Sequence, residues 1–287
     1  MLEPIHNADH LGLVSRWNIP GDNIQMVKIS ALLASAALVL AAAPVAAQDL
    51  PDLDGRVIHA VTENAYYPLN FADADGNGIG LEYDVVNEVA SRLNATIEWN
   101  LTAWDVMIES VRTGQFDIGA DGITITAERA EQIDFTDPFI TVEQYFLVRA
   151  DEERITGAES FAEDEDLLFG AQAGTSSFYT AIYDILDGDE ANPRVKTFDS
   201  FGAAVQAVKA GDVDAVIADQ AAASGYIGAD PGAFKQVGES IKSDPLGFIL
   251  TPGSDLAAPF NAALDQLREE GWLDERINYW FFEYAAE

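Results

Sequence analysis

The stretch from Gly119 to Phe139 reads G-A-D-G-I-T-I-T-A-E-R-A-E-Q-I-D-F-T-D-P-F, and it gathers groups able to hold a small anion. Its pattern predicts the end of a buried strand, a polar turn, and the first turn of a short helix. Thr124 and Thr126 bring hydroxyls beside the free N–H groups of that helix start, and Arg129 follows one turn later with a planar guanidinium. Together these donors suit a carboxylate. Taken singly, Thr126 reads as a helix N-cap and Arg129 as a surface ion-pair partner. A second glycine turn, Ala173-Gly174-Thr175-Ser176-Ser177, offers close backbone approach and another helix start. It too can be a plain cap without a ligand. Asp219 closes the expected strand Val213–Ala218, and a carboxylate there suits the ammonium of an α-amino acid.

The elements that carry these groups alternate. Arg56–Thr62 reads as a strand, and a loop from Glu63 through Tyr66 and Pro68 leaves its carboxyl end, where open α/β sheets take their ligands. A helix follows with Val85, Val86, Val89 and Leu93 on one face. Thr96–Asn100 is a second strand, a helix carries Met107, Ile108 and Val111 after Trp104, and Phe116–Ala120 is a third strand. Strand-helix-strand-helix-strand predicts a parallel sheet with helices on both faces. Further on, Val142–Val148 reads as a crossing segment, Leu167–Gln172 and Val195–Phe198 as strands, Ser200–Ala210 as a helix, and Leu246–Leu250 as the return crossing. Helices are expected over Asp255–Glu270 and Leu273–Phe281. V-R-T-G114-Q-F-D117 is echoed by V-K-A-G211-D-V-D214, which fits two similarly built halves.

G-I-T-I-T-A-E-R followed by I-D-F-T-D-P-F resembles the extracellular solute-binding proteins of polar amino-acid ABC importers. So do Y-Y-P-L, G-L-E-Y-D, W-D-V-M-I and the closing G-S-D-L-A-A-P-F-N-A-A-L-D-Q-L, and the likeness spans nearly all of Leu53–Phe282. It implies a two-lobed type II periplasmic binding fold of class α/β, each lobe a mostly parallel sheet flanked by helices, joined by two crossing segments. It implies a lobe 1 of residues 48–143 and 247–287 and a lobe 2 of residues 144–246. In such a receptor Arg129, Thr124, Thr175 and Ser176 would hold a ligand carboxylate, with Gly122 in the same turn, and Asp219 would take the ammonium. Tyr66 and Trp104 would clamp the ligand side chain, although an aromatic residue at a helix start also serves as packing. Glu63 would meet the polar end of the ligand. Two departures from the family pattern stand out: Glu109 replaces its usual Pro, and Asp121 stands where a small neutral residue is usual. An acid beside a carboxylate pocket is repulsive unless it points away or meets a cation, so Glu63 and Asp121 hint at a ligand bearing a positive group. The partners implied are an amino acid and an ABC permease in the inner membrane, with no cofactor and the receptor acting as a monomer. Other roles on this scaffold are a dehydratase-type enzyme, with Glu63 or Asp121 as acid or base, and a ligand-sensing subunit of a signalling system.

The chain has 287 residues, no Cys and a formal charge of −34. Without Cys there is no disulfide and no thiolate metal site. So acidic a chain is opposed to phosphate binding, which excludes nucleic acid as an expected partner. Met26-Val-Lys28, the Ala/Leu/Val-rich run Ile29–Ala43, and Pro44-Val-Ala-Ala47 have the shape of a cleaved secretory signal. Residues 26–47 are therefore expected to be a signal peptide, residues 1–25 a non-native extension, and the mature chain periplasmic. Past residue 47 only His59 remains, which excludes a multi-His metal site.

Overall fold

In the computed structural model residues 50–284 are described, so the expected extension and signal peptide lie outside the described residues. In chain order the elements are β1 (Val57–Thr62), β2 (Ala65–Tyr66), β3 (Asn70–Ala72), β4 (Gly78–Ile79), α1 (Leu81–Arg92), β5 (Thr96–Leu101), α2 (Trp104–Arg112), β6 (Ile118–Gly119), α3 (Ala127–Ala130) and β7 (Asp134–Phe135). Then come β8 (Ile140–Arg149), α4 (Ala158–Glu163), β9 (Phe169–Gln172), α5 (Ser176–Tyr179), β10 (Val195–Phe198), α6 (Phe201–Ala210), β11 (Ala215–Asp219), α7 (Gln220–Ala229), β12 (Phe234–Leu246), β13 (Ile249–Leu250), α8 (Ala257–Glu269) and α9 (Trp272–Asn278). Among the described residues no helix is long and apolar enough to cross a membrane.

Two five-stranded sheets result, ordered β5-β1-β6-β13-β7 and β10-β9-β11-β8-β12. In the first, β1 runs parallel to β5 and β6, as the strand-helix alternation predicts, and the late β13 enters antiparallel. In the second, β9 is parallel to β10 and β11, while β8 and β12 join antiparallel. Each sheet has its own core. The first gathers Ile58, Val85, Val89, Leu93, Phe248, Leu264 and Trp280. On the second, period-2 alternation separates two layers. Phe146, Val148, Ile217 and Phe169 pack with Phe161 from α4, whereas Leu147, Val216 and Ala218 pack with Phe201 and Val205 from α6.

The sequence echo marks the same device in both sheets. Gly114 and Gly211 end α2 and α6 with φ of 76° and 83°, a left-handed turn that favours glycine. Three residues on, Asp117 accepts from the His59 N–H at 2.8 Å and Asp214 from the Leu168 N–H at 2.8 Å. Each carboxylate thus pins the next strand to its neighbour.

The return crossing differs from expectation. The crossing strand is β12, thirteen residues long, and Ile249–Leu250 is a separate strand of the first sheet. Polar Glu239–Asp244 and Pro245 hide it, because a strand containing proline reads as a break. Here β12 is an edge strand, where a missing N–H costs little. It pairs with β8 from Leu246↔Ile140 onward, so the two crossing segments form one ribbon. The loop after Glu63 is also more ordered than expected, since β2, β3 and β4 make a small antiparallel sheet.

Candidate functional site

Between the two sheets lies a cavity lined from one side by Glu63, Tyr66, Trp104, Asp121, Gly122 and Arg129. From the other side it is lined by Gln144, Gln172, Thr175, Ser176, Asp219 and their neighbours. Nine of the ten expected site residues line it; Thr124 does not. Thr124 sits just behind, and its hydroxyl donates to Ser176 Oγ at 2.9 Å across the two sheets. Thr126 is an N-cap, accepting from the Arg129 N–H at 3.2 Å. Thr175 caps α5 in the same way, accepting from the Phe178 N–H at 3.2 Å and donating to the Gln172 carbonyl at 2.8 Å. Its hydroxyl is thereby engaged within its own turn.

Arg129 is not a surface ion-pair residue. Its guanidinium donates to the Thr124 carbonyl at 2.9 Å and to the Gly174 carbonyl at 3.2 Å, and lies 5.3 Å from the centre of the Trp104 ring. Burial pushes its pKa down. Two of its five N–H groups are thus accounted for by neutral carbonyls, leaving donors for an anion.

The rest of the lining is acidic. Asp121 Oδ1 accepts from the Thr62 hydroxyl at 3.2 Å and from the Glu63 N–H at 3.3 Å. Burial, with Glu82 and Glu63 nearby, holds its pKa well above the usual carboxylate range. Glu63 accepts from Gln172 Nε2 at 2.9 and 3.0 Å, another link across the cavity, and is raised mainly by burial. Asp219 is a buried N-cap of α7: Oδ1 accepts from the Ala222 N–H at 2.8 Å and Oδ2 from the Tyr66 hydroxyl. Burial raises its pKa, and these hydrogen bonds oppose the rise. Tyr66 is therefore held by Asp219 and by the edge-on Phe201 ring at 5.1 Å.

Sequence reasoning assigned no role to Glu82, Gln144 or Gln172. Glu82 is fully buried behind Gly122, accepting from its N–H at 3.0 Å and from Asn70 Nδ2 at 2.7 Å. Gly122 adopts φ 61°, and a Cβ there would lie 2.4 Å from the Tyr66 ring, so glycine is required. The available signals were polar residues on apolar faces: Glu82 among Leu81, Val85 and Val86, and Gln144 in line with Val142 and Phe146.

Burial raises Glu82 from 4.5 to about 7. Between those values the folded protein keeps a proton that the unfolded chain has released. Stability should therefore fall as pH rises from about 4.5 to 7, by about 3 kcal/mol for this group. Glu82→Gln removes the titrating group and should flatten that slope; Asn70 Oδ1, without a partner among the described residues, can receive the new donor after an amide flip. Urea unfolding of both proteins at pH 5 and 7.5 checks this; equal slopes would contradict it.

A two-lobed α/β protein with a polar site enclosed between its sheets is the class this geometry defines. The chain belongs to the bacterial extracellular solute-binding proteins, family 3, whose family model matches residues 58–283. It is 26% identical over 255 residues to a probable histidine-binding protein of Neisseria gonorrhoeae, covering 86% of this chain and 92% of the relative. An ancestral arginine-binding protein bound to arginine superposes with a TM-score of 0.71 at 30% identity, covering 78% of this chain and 98% of that one. A binding component of an ABC transporter from Wolinella succinogenes, complexed with lysine, gives a TM-score of 0.72 at 28% identity, covering 79% and 96%.

Proposed function

We propose that this chain is a periplasmic receptor that captures a cationic amino acid between its lobes and delivers it to an ABC permease. The observation that carries this reading is the charge layout of the cavity: one half-buried guanidinium with uncommitted donors shares the lining with Glu63, Asp121 and Asp219, and Glu82 lies behind Gly122. Arg129 and Ser176 would take the α-carboxylate, with the Thr124 hydroxyl holding Ser176. Asp219 would take the α-ammonium. Trp104 and Tyr66 would flank the side chain, whose cation would reach Glu63 and Asp121. The names of the relatives, which cover histidine, arginine and lysine, support the same ligand class.

Capture is by hinge closure. Lobe 1 is residues 48–143 with 247–287, lobe 2 is residues 144–246, and bending occurs in the crossing ribbon near 142–145 and 245–248. Closure excludes water and strengthens each charge contact. The receptor acts as a monomer, is exported by the signal at 26–47, and returns its ligand unchanged. Calorimetric titration with L-arginine, followed by chromatography of the recovered ligand, tests both points. Saturable binding with intact arginine is expected; a changed product would make the protein an enzyme.

Closure also depends on a close approach outside the cavity. A Cβ on Gly225 of α7 would lie 2.3 Å from the Tyr67 ring of the opposite lobe. Gly225→Ala should act as a wedge, and overpacking of roughly 1–3 kcal/mol would weaken binding about tenfold. Titration with L-arginine, beside the unfolding curve of the unliganded variant, checks it. Unchanged affinity would show that Tyr67 yields freely.

A further inference from the structure

Gln144 has no role in the assignment above, yet it lines the cavity and is only 4% exposed. It stands on β8 in direct register with Asp219 on β11. Residues opposed in an antiparallel pair carry their side chains on one face, with Cβ atoms about 5 Å apart. Its amide Nε2 donates to Asp244 and, at 3.3 Å, to Ser176 Oγ. Its Oε1 is buried with no hydrogen-bond partner among the described residues. A buried acceptor left unpaired is costly, and such atoms at a cavity wall await a donor.

The amide orientation has a chemical cause. Burial raises the pKa of Asp244, and Lys242 Nζ, 3.8 Å from its Oδ1, opposes that rise; the ionised side chain is acceptor-only. A carboxylate requires the donor end of the amide and repels the oxygen end. Asp219 already accepts one hydrogen bond on each oxygen, which leaves about two of a carboxylate's roughly four acceptor sites. An ammonium brings three donors.

We propose that Gln144 Oε1 is a second acceptor for the ligand α-ammonium, shared with Asp219, and that Asp244 is the positioning residue that keeps this oxygen on the cavity side. The proposal rests on the reading of the site as an amino-acid receptor. Lys242 is in register with Gln144 in turn, so Lys242, Gln144 and Asp219 form one row across β12, β8 and β11. Two of those strands are the crossing ribbon, so the amine would be read at the segment that bends.

The test compares L-arginine with 5-guanidinopentanoate, the same molecule without its α-amine, by calorimetry on the wild type and Gln144→Met. Met is near-isosteric and has no oxygen. A loss of about tenfold for L-arginine is expected, from one hydrogen bond to a charged donor. The des-amino compound should change less than about twofold, because its missing amine cannot use Oε1. Asp244→Asn, whose amide allows Gln144 to flip, should show the same selective loss with Gln144 itself intact. It serves as the second test if the Met variant does not fold. Equal losses for both compounds, or no loss for either, would overturn the proposal. A wild type that binds neither compound would overturn the receptor assignment and this proposal with it.

Discussion

Replacing Arg129 with alanine is expected to lower affinity for a cationic amino acid by roughly 100-fold or more. The size follows from what the guanidinium does. It is the cavity's cation, it is enclosed enough for burial to lower its pKa, and its recorded bonds go to carbonyls on both sides of the cavity. Removing it leaves the ligand carboxylate desolvated without a counter-charge, facing an acidic wall. It also removes the Gly174 contact that ties one lobe to the other. Arg129→Lys should recover little, because an ammonium cannot fork to a carboxylate while holding both carbonyls and lying over Trp104. Calorimetry with L-arginine checks both variants. An alanine variant within threefold of wild type would place the ligand carboxylate elsewhere.

The second large effect concerns charge selectivity. Glu63→Gln combined with Asp121→Asn should lower affinity for L-arginine by roughly 100-fold. The same variant should bind the neutral isostere L-citrulline at least as well as wild type does. Both carboxylates are raised mainly by burial, and Asp121 also by Glu82 and Glu63, so their ionised forms are held only against a cost. A cationic ligand relieves that cost and a neutral one does not. The single variants should fall between, because each leaves one of the two carboxylates in the cavity. Parallel titrations with the two ligands give the answer. An equal loss for both would mean that these acids shape the pocket rather than read charge.

Much of this arrangement could be read before any coordinates. Apolar runs ending in a polar residue located β1, β9 and β11, and the residue closing each run, or following it, faces the cavity: Glu63, Gln172 and Asp219. Helix-start chemistry located Thr126 and Thr175, but as caps, which is the local role that Thr favours. What escaped notice depends on tertiary burial. Glu82 looks like an ordinary first-turn acid of an amphipathic helix, and only its position behind Gly122 removes it from water. Gln144 and Asp244 lie on strands whose pairing is non-local, a hundred residues apart, and neither strand announces that its polar side chains meet. The crossing strand β12 was hidden by its polar edge composition and Pro245.

The most direct measurement is thermal unfolding of the purified, unfolded-and-refolded protein against a panel of common amino acids. A ligand at about 1,000 times its Kd should add roughly 4 kcal/mol, a rise of about 8–16 °C for a chain of this size. The charge layout around Arg129, Asp219, Glu63 and Asp121 predicts that rise with arginine, lysine or histidine, and little with glutamate or aspartate. A large shift with an acidic amino acid, or no shift with any cationic one, would contradict it.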